Sequence, residues 1–89
     1  MSSTAKKAIS LLLADSDIQY LDLIATHPAI QEAGWKIKTV QNGDDALKAL
    51  EDSPYDILVA NLSLEKTPGD ILLAQTKRDY PNSLRFLLR

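Results

Sequence analysis

The stretch that decides the fold of this chain runs from Tyr55 to Asn61 and has the sequence YDILVAN. Ile57 to Ala60 form a short, continuous apolar run that is partly β-branched, which is typical of a strand buried on both faces in the middle of a parallel sheet. The apolar run stops at Asn61, so we expect the strand to end there. In open α/β folds the functional crevice lies at the carboxyl ends of the strands. Asn61 is therefore predicted to lie at the mouth of the site.

The chemistry of Asn61 limits what such a site can do. Its amide is neutral and can both donate and accept hydrogen bonds. By comparison with a carboxylate, an amide is a poor nucleophile and a weak metal ligand. In a second interpretation the side chain of Asn61 only caps the following loop, through hydrogen bonds to the backbone.

The composition of the 89-residue chain indicates one small domain, spanning residues 1–89, and we expect the small and polar residues 1–7 to be flexible. A net charge of -2 argues against direct binding of nucleic acid, which needs a basic surface. No apolar run approaches the roughly 20 residues of a membrane span. Ile9 to Ala14 is too short an apolar run for a secretory signal, so we expect a cytoplasmic protein with no membrane partner. The absence of cysteine excludes disulfides and thiolate–metal sites.

Four predicted strands alternate with helical segments. The strands are Ile9 to Ala14, Trp35 to Val40 near a sheet edge, the central strand ending at Asn61, and Ser83 to Leu88. Alternation with short connections predicts right-handed crossovers and a parallel sheet covered on both faces.

Capping residues predict where the helices begin and end. Asp17 and Asn42 can each accept hydrogen bonds from free backbone amides at a helix start. Gly34 is a plausible helix stop, after a short helical turn that follows His27-Pro28. Thr67 is predicted to cap the last helix, with Pro68 at its first position, and Tyr80-Pro81 to close it.

The last predicted strand is too apolar for an open sheet edge. An exposed edge of this kind invites pairing with another chain, so either a partner completes the sheet or the sequence is a fragment of a longer domain. We predict an interaction surface at this strand and a homodimer that uses it. The residues of that surface are Phe86, Leu87 and Leu88.

Taken together, several segments resemble the receiver domain of two-component response regulators, in the CheY-like superfamily. They are Leu12 to Asp17, Gly34 to Leu47, Pro54 to Asn61, Gly69, and Tyr80 to Leu88. The resemblance covers nearly the whole chain. It implies an α/β fold of flavodoxin-like type, a doubly wound parallel sheet with strand order 2-1-3-4 that lacks the usual fifth strand and helix.

The family's chemistry is phosphoryl transfer from a histidine kinase to an aspartate at the end of the third strand, and this sequence departs from it. The acceptor position is Asn61. The acidic pair that helps to hold Mg²⁺ falls on Asp15 and Ser16, with Asp17 next along, so one of the two usual carboxylates of the acidic pocket is lost. Glu65 replaces a proline common in the following loop, the hydroxyl position falls on Arg89, and the strand that carries a lysine is absent. The departures predict a pseudo-receiver that is not phosphorylated, with no catalytic residue and no cofactor beyond weak Mg²⁺ binding at Asp15. Alternatively, Asp15 and Asp17 are only a helix cap and a solvated turn.

Three functions follow from the resemblance and the departures. The first is a regulatory, non-enzymatic domain that acts through protein–protein interaction, with a histidine kinase, an output domain or a second copy as its partner. The second is a working receiver that is phosphorylated at another acid, such as Asp56 or Asp15. The third is a flavodoxin-like domain that binds a small ligand in the vacated crevice.

Overall fold

Strands and helices alternate along residues 8–88, the part of the chain that this computed structural model describes. The flexibility expected of residues 1–7 and the role predicted for Arg89 lie outside the described residues. The elements are β1 (Ser10–Ala14), α1 (Ile18–Ala25), α2 (Pro28–Ala33), β2 (Lys36–Val40), α3 (Gly43–Asp52), β3 (Ile57–Asn61), α4 (Gly69–Asp79) and β4 (Leu84–Leu88). Strands β1, β2 and β4 each begin one residue later than the sequence predicts, and β3 ends at Asn61 as expected.

The four strands form one parallel sheet in the order β2-β1-β3-β4, which confirms the predicted α/β fold and strand order. Leu13 on β1 aligns with Val59 on β3, and Val59 aligns with Phe86 on β4. Because aligned residues of parallel strands project to the same side, these three residues share one face of the sheet. Leu12 and Leu58, which are also aligned, belong to the opposite face.

The main hydrophobic core lies between that opposite face and the helices α3 and α4. Leu12, Leu58 and Leu72 are fully buried there. Fully burying such side chains stabilises a fold by roughly 1.5–3 kcal/mol each. The core contains Leu12, Ala14, Val40, Ala46, Ala49, Leu50, Leu58, Ala60, Leu64 and Leu72.

The face of the sheet that carries Leu13, Val59 and Phe86 is covered less completely by helices. The chain crosses the sheet in one direction from β1 to β2, and in the reverse direction from β2 to β3. Because both crossovers are right-handed, α1 lies on this face of the sheet and α3 on the opposite face. Leu21 of α1 is buried, whereas Ile18 is 56% exposed. Helix α1 packs against β2, and two other strands, β1 and β3, separate β2 from β4. The β4 side of this face is therefore left open to solvent.

Local capping chemistry determines most of the helix boundaries. Asp17 caps α1, Asn42 caps α3 by accepting from the backbone N–H of Asp45, and Gly34 ends α2 with φ 71°, all as predicted. A left-handed φ of this kind strains residues that carry a Cβ, which is why glycine is favoured there.

The start of α4 corrects one prediction. Thr67 does not cap the helix: Pro68 is the N-cap, no side-chain hydrogen bond is made there, and α4 begins at Gly69. The hydroxyl of Thr67 donates instead to Asp44 Oδ1 at 3.1 Å, across the gap to α3. A tertiary contact has thus taken the side chain away from the local role that its position suggested.

Asp17→Ala is expected to cost about 1 kcal/mol of unfolding free energy. Asp17 Oδ1 accepts from the backbone N–H groups of Gln19 and Tyr20 at 3.0 and 3.2 Å, and both donors lose this partner in the variant. Urea unfolding measures the effect. Ser16→Ala is the matched control: Ser16 is exposed, and the variant should unfold like the wild type. Equal stabilities of the two variants would show that the cap contributes nothing.

Candidate functional site

The candidate site lies where β1 and β3 end side by side. Ala14 and Ala60 are aligned in neighbouring strands, so the residues that follow them, Asp15 and Asn61, meet at the same edge of the sheet. Asn61 Nδ2 donates a hydrogen bond to Asp15 Oδ2 at 3.2 Å. The site is therefore centred on an amide that faces a carboxylate, at the position predicted from the apolar run.

Asp15 is the buried member of this pair, with 6% of its surface exposed. Its second oxygen, Oδ1, accepts from the backbone N–H of Asp17 at 2.9 Å. A buried carboxylate is tolerated when hydrogen bonds replace the water that it has lost. Here the amide of Asn61 and a backbone N–H supply those bonds, so both oxygens of Asp15 already have partners.

The other end of the Asn61 amide holds the following loop. Asn61 Oδ1 accepts from the backbone N–H of Ser63 at 2.8 Å. The reversed amide would point its oxygen at the Asp15 carboxylate and its NH₂ at a donor, so these partners determine its orientation. The side chain of Asn61 thus links the residue after β1 to the loop after β3. Its hydrogen bond to Ser63 is the loop-capping role that the sequence left open.

Ser16 and Asp17, the other two members of the predicted acidic pocket, do not converge on Asn61. The carboxylate of Asp17 is turned towards the start of α1, where it caps the helix. Ser16 is exposed to solvent. Of the two interpretations left open by the sequence, the helix cap therefore describes Asp17, and only Asp15 among the three contacts Asn61.

The residues of the pocket are a poor fit for Mg²⁺. This ion prefers octahedral oxygen ligation and is usually held through one or two carboxylates together with phosphate oxygens and water. Among residues 8–88, Asp15 is the carboxylate that is hydrogen-bonded to Asn61, and the NH₂ group of Asn61 occupies one of its oxygens. Within residues 8–88, no group of three or more His, Cys, Asp or Glu side chains could hold a metal ion.

The ion pair that the structure shows lies outside this pocket. The one ion pair with both partners among residues 8–88 joins Arg78 Nε to Asp79 Oδ1 at 2.9 Å, near the end of α4. The hydrogen bond from Arg78 lowers the pKa of Asp79. Both side chains are largely exposed, so water and salt screen the pair.

Comparison with known proteins identifies the fold. No model of a known protein family matches this chain, and no curated protein matches its sequence. Among solved structures, the signal receiver domain of an HD domain-containing protein from Pseudomonas fluorescens matches with a TM-score of 0.84 and 22% sequence identity, over 91% of this chain and 63% of that chain. The chemotaxis response regulator CheY4 of Vibrio cholerae matches with a TM-score of 0.81 and 16% identity, over 91% and 68% of the two chains.

A response regulator receiver domain protein from Clostridium thermocellum also matches, with a TM-score of 0.78 and 16% identity, over 89% of this chain and 63% of that chain. The chain has the receiver-domain fold. It spans 63% of the Pseudomonas domain, which is less than two thirds of that domain's length. Within residues 8–88, no helix is both long and apolar enough to cross a membrane.

In this receiver fold, the loop from Leu62 to Pro68 is held against α3 by contacts that the sequence did not reveal. The backbone N–H of Gly43 donates to the carbonyl oxygen of Glu65 at 3.2 Å. A Cβ on Gly43 would overlap the carbonyl oxygen of Thr67. Glycine is therefore required at position 43 for close approach, and the helix-capping pattern around Asn42 gave no signal of it.

Lys66 takes a left-handed conformation inside this loop, with φ 69°. A non-glycine residue in this region is strained by roughly 1–2 kcal/mol. Lys66→Gly is therefore expected to raise the unfolding free energy by about 0.5–1 kcal/mol, since some of the relief is lost to the greater freedom of the unfolded chain. Chemical denaturation measures the change.

Lys66→Ala is the control for Lys66→Gly, because it removes the same charge but keeps the Cβ that causes the strain. It should not stabilise the domain. A gain with alanine that equals the gain with glycine would attribute the effect to the charge and not to the backbone.

The predicted interaction surface lies on β4, the last strand in the order β2-β1-β3-β4. Phe86 is 52% exposed and Leu87 is also exposed, whereas Leu88 is half-buried. Leu84, two residues before Phe86 and on the same face of the strand, is 60% exposed. Leu84 belongs to the predicted apolar strand but not to the predicted surface. Because Leu84 is exposed on the same face as Phe86, it is a further residue of this surface.

Proposed function

We propose that this domain is a receiver-like regulatory module of a two-component phosphorelay that is not itself phosphorylated and acts through protein–protein interaction. It is not an enzyme, it works in the cytoplasm, and its partners are a histidine kinase, an output domain or a second copy of itself. The observation that supports the proposal is the hydrogen bond from Asn61 to Asp15 at the carboxyl ends of β3 and β1, where the resemblance to receivers implies an acceptor carboxylate.

Two features of the pocket support the loss of phosphorylation. Acyl phosphate formation needs a carboxylate nucleophile at the acceptor position, and the Asn61 amide does not replace it. Both oxygens of Asp15 are already engaged, which leaves little for Mg²⁺ to bind. A pocket without a carboxylate nucleophile and with a poor Mg²⁺ site is weak in both groups that phosphoryl transfer from a phosphodonor requires.

The location of Asp56 favours this proposal over phosphorylation at that residue. Asp56 immediately precedes β3, at the opposite end of the strand from Asn61, and its Oδ2 accepts from the backbone N–H and the hydroxyl of Ser10 at 2.9 and 3.2 Å. Asp15 is buried and hydrogen-bonded at both oxygens, so it is poorly placed to attack a phosphodonor.

The interaction part of the proposal rests on the exposed apolar residues of β4. Leu84 and Phe86 lie on one face of the five-residue strand β4, and Leu87 lies on the other. Neighbouring exposed apolar side chains, such as Leu84 and Phe86, often mark a binding surface. A surface of this kind is available without any chemical change in the pocket.

Light scattering over a range of protein concentrations tests the proposed function. We expect the weight-average mass to rise with concentration and to be the same with and without Mg²⁺ plus acetyl phosphate. Phe86→Ser should lower the association, whereas Ile71→Ser, which also removes a half-exposed apolar side chain but on α4, should not. A strictly monomeric protein with a cooperative fold would contradict the homodimer, and association that requires the phosphodonor would contradict the unphosphorylated mode of action.

A further inference from the structure

We propose that Asn42 is a site of spontaneous deamidation, and that the packing of α3 against the loop from Leu62 to Pro68 sets the rate of the reaction. The chain contains three asparagines, at positions 42, 61 and 82, and only Asn42 is followed by glycine. The site is separate from the pocket at Asn61 and does not depend on the proposed function. Its product changes how the loop after β3 is held.

The reaction joins Asn42 and Gly43 through a five-membered ring. The backbone nitrogen of Gly43 attacks Cγ of Asn42, the bond from Cγ to Nδ2 breaks, and the proton of the Gly43 N–H leaves with Nδ2 as ammonia. Water then opens the cyclic imide at either carbonyl, which gives aspartate or an isoaspartate whose backbone runs through the former side chain. Glycine favours ring closure, because it has no Cβ to obstruct the attack and its backbone turns freely.

Both residues of this reactive pair have a structural role. Asn42 is the N-cap of α3, and its Oδ1 accepts from the backbone N–H of Asp45 at 2.9 Å. A Cβ on Gly43 would overlap the carbonyl oxygen of Thr67 and lie 2.8 Å from its Cα. Alanine at position 43 would therefore push the loop away from α3. The contacts that build this corner of the domain thus keep a deamidation-prone sequence in it.

The folded state holds the pair away from the reaction. The Asn42 amide is fixed at both ends, since its Nδ2 also donates to Asp45 Oδ2 at 3.1 Å. The attacking group is held as well, because the Gly43 N–H donates to the carbonyl oxygen of Glu65 at 3.2 Å. Asn42 has ψ 169°, an extended backbone in which the Gly43 nitrogen is rotated out of the plane that the ring needs. Ring closure therefore requires the start of α3 to open first.

Folding is expected to slow deamidation at Asn42 by at least about tenfold, because opening breaks a capping bond and a backbone hydrogen bond. The wild type is held at one pH and temperature in buffer and in guanidinium chloride. Peptide mapping by mass spectrometry follows asparagine, aspartate and isoaspartate at position 42. Asn82, which is exposed, is the internal reference. In guanidinium chloride Asn42 should react faster than Asn82, because the side chain of Ser83 obstructs ring closure there.

Thr67→Ala connects the rate to the loop. The hydroxyl of Thr67 donates to Asp44 Oδ1 at 3.1 Å and holds the loop on α3. Without that bond we expect deamidation of Asn42 in buffer to be about threefold faster or more. The rate in guanidinium chloride should not change, because position 67 is far from Asn42 in the sequence. Thr26→Ala is the matched control: its hydroxyl donates to the carbonyl oxygen of Asp22 at the end of α1, and both rates should stay as in the wild type.

The isoaspartyl product is expected to loosen the corner more than aspartate does. Isoaspartate adds a methylene to the backbone before Gly43, and the close approach of Thr67 leaves little room for the shift. It is obtained by ageing the unfolded wild type, refolding it and separating the products by chromatography. Asn42→Asp is the matched protein, since aspartate also caps helices and carries the same charge on an ordinary backbone. Hydrogen exchange at the Gly43 N–H should be at least about tenfold faster in the isoaspartyl form.

Each arm of the experiment has a result that overturns the proposal. Equal rates at Asn42 in buffer and in guanidinium chloride would show that packing does not protect it. A faster reaction at Asn82 than at Asn42 in guanidinium chloride would show that the wrong site was chosen. If Thr67→Ala leaves the rate in buffer unchanged, or Thr26→Ala raises it as much, the loop does not control the reaction.

Discussion

Asn61→Asp is expected to destabilise the domain by about 1–3 kcal/mol at neutral pH in metal-free buffer. The substitution replaces the NH₂ group that Asn61 donates to Asp15 Oδ2 at 3.2 Å with a second carboxylate oxygen. A favourable hydrogen bond is lost, and two negatively charged carboxylates then face each other, one of them on the buried residue Asp15. Urea unfolding in the presence of a chelator measures the loss.

Mg²⁺ is expected to restore much of that stability in Asn61→Asp and to leave the wild type nearly unchanged. Two facing carboxylates supply the negative oxygen ligands that the wild-type pocket lacks, and a ligand that binds only the folded state stabilises it. Asn61→Ala is the control, because it removes the amide without adding a charge and should show no Mg²⁺ response. Wild-type protein that gains as much stability from Mg²⁺ as the aspartate variant would contradict the account of the pocket.

Gly69→Ala is expected to lower the unfolding free energy by about 2–3 kcal/mol. A Cβ at this position would overlap the carbonyl oxygen of Asn61 and approach its carbonyl carbon to 2.7 Å. Both contacts are with backbone, which has no rotamer to escape into, so the start of α4 must move away from the end of β3. Thermal or urea unfolding measures the loss.

The neighbouring variant Asp70→Ala separates this steric effect from a general weakness at the start of α4. Asp70 is exposed in the first turn, where its charge stabilises the helix by less than about 1 kcal/mol. If Gly69→Ala proves no more destabilising than Asp70→Ala, the close approach of α4 to Asn61 is not a constraint on the fold.

Much of the fold could be predicted because its signals are local. Asp17, Asn42 and Gly34 act at their own helix ends through their own side chains or backbone, and they do what their residue types suggest. The apolar run before Asn61 ends where β3 ends. The strand order, by contrast, came from the resemblance to receiver domains, because alternation alone allows several orders of strands.

The features that sequence reasoning missed are all tertiary. Thr67 looked like a helix cap but is bonded to Asp44, far away in the chain. Ile71 belongs to an apolar run in α4, residues 71–74, yet it is 49% exposed. The glycines at 43 and 69 are required by the approach of other segments, and no pattern around them in the sequence reports such an approach.

The candidate site was predictable in its members but not in its bonding. The resemblance placed Asp15 and Asn61 at the same pocket, and the chemistry of an amide predicted the loss of a nucleophile. The direction of the Asn61 amide, with its NH₂ on Asp15 and its oxygen on the N–H of Ser63, depends on the path of the loop that follows. That path is determined by contacts with α3, which only the folded chain contains.

Labelling with a small phosphodonor tests the central claim most directly. Wild type and Asn61→Asp would be incubated with acetyl phosphate and Mg²⁺, and intact mass spectrometry would record the mass of one added phosphoryl group. We expect no adduct on the wild type, and an adduct on Asn61→Asp if the amide alone had silenced the pocket. A phosphoryl adduct on the wild type would contradict the account, because it would show that another residue of this domain accepts the phosphoryl group.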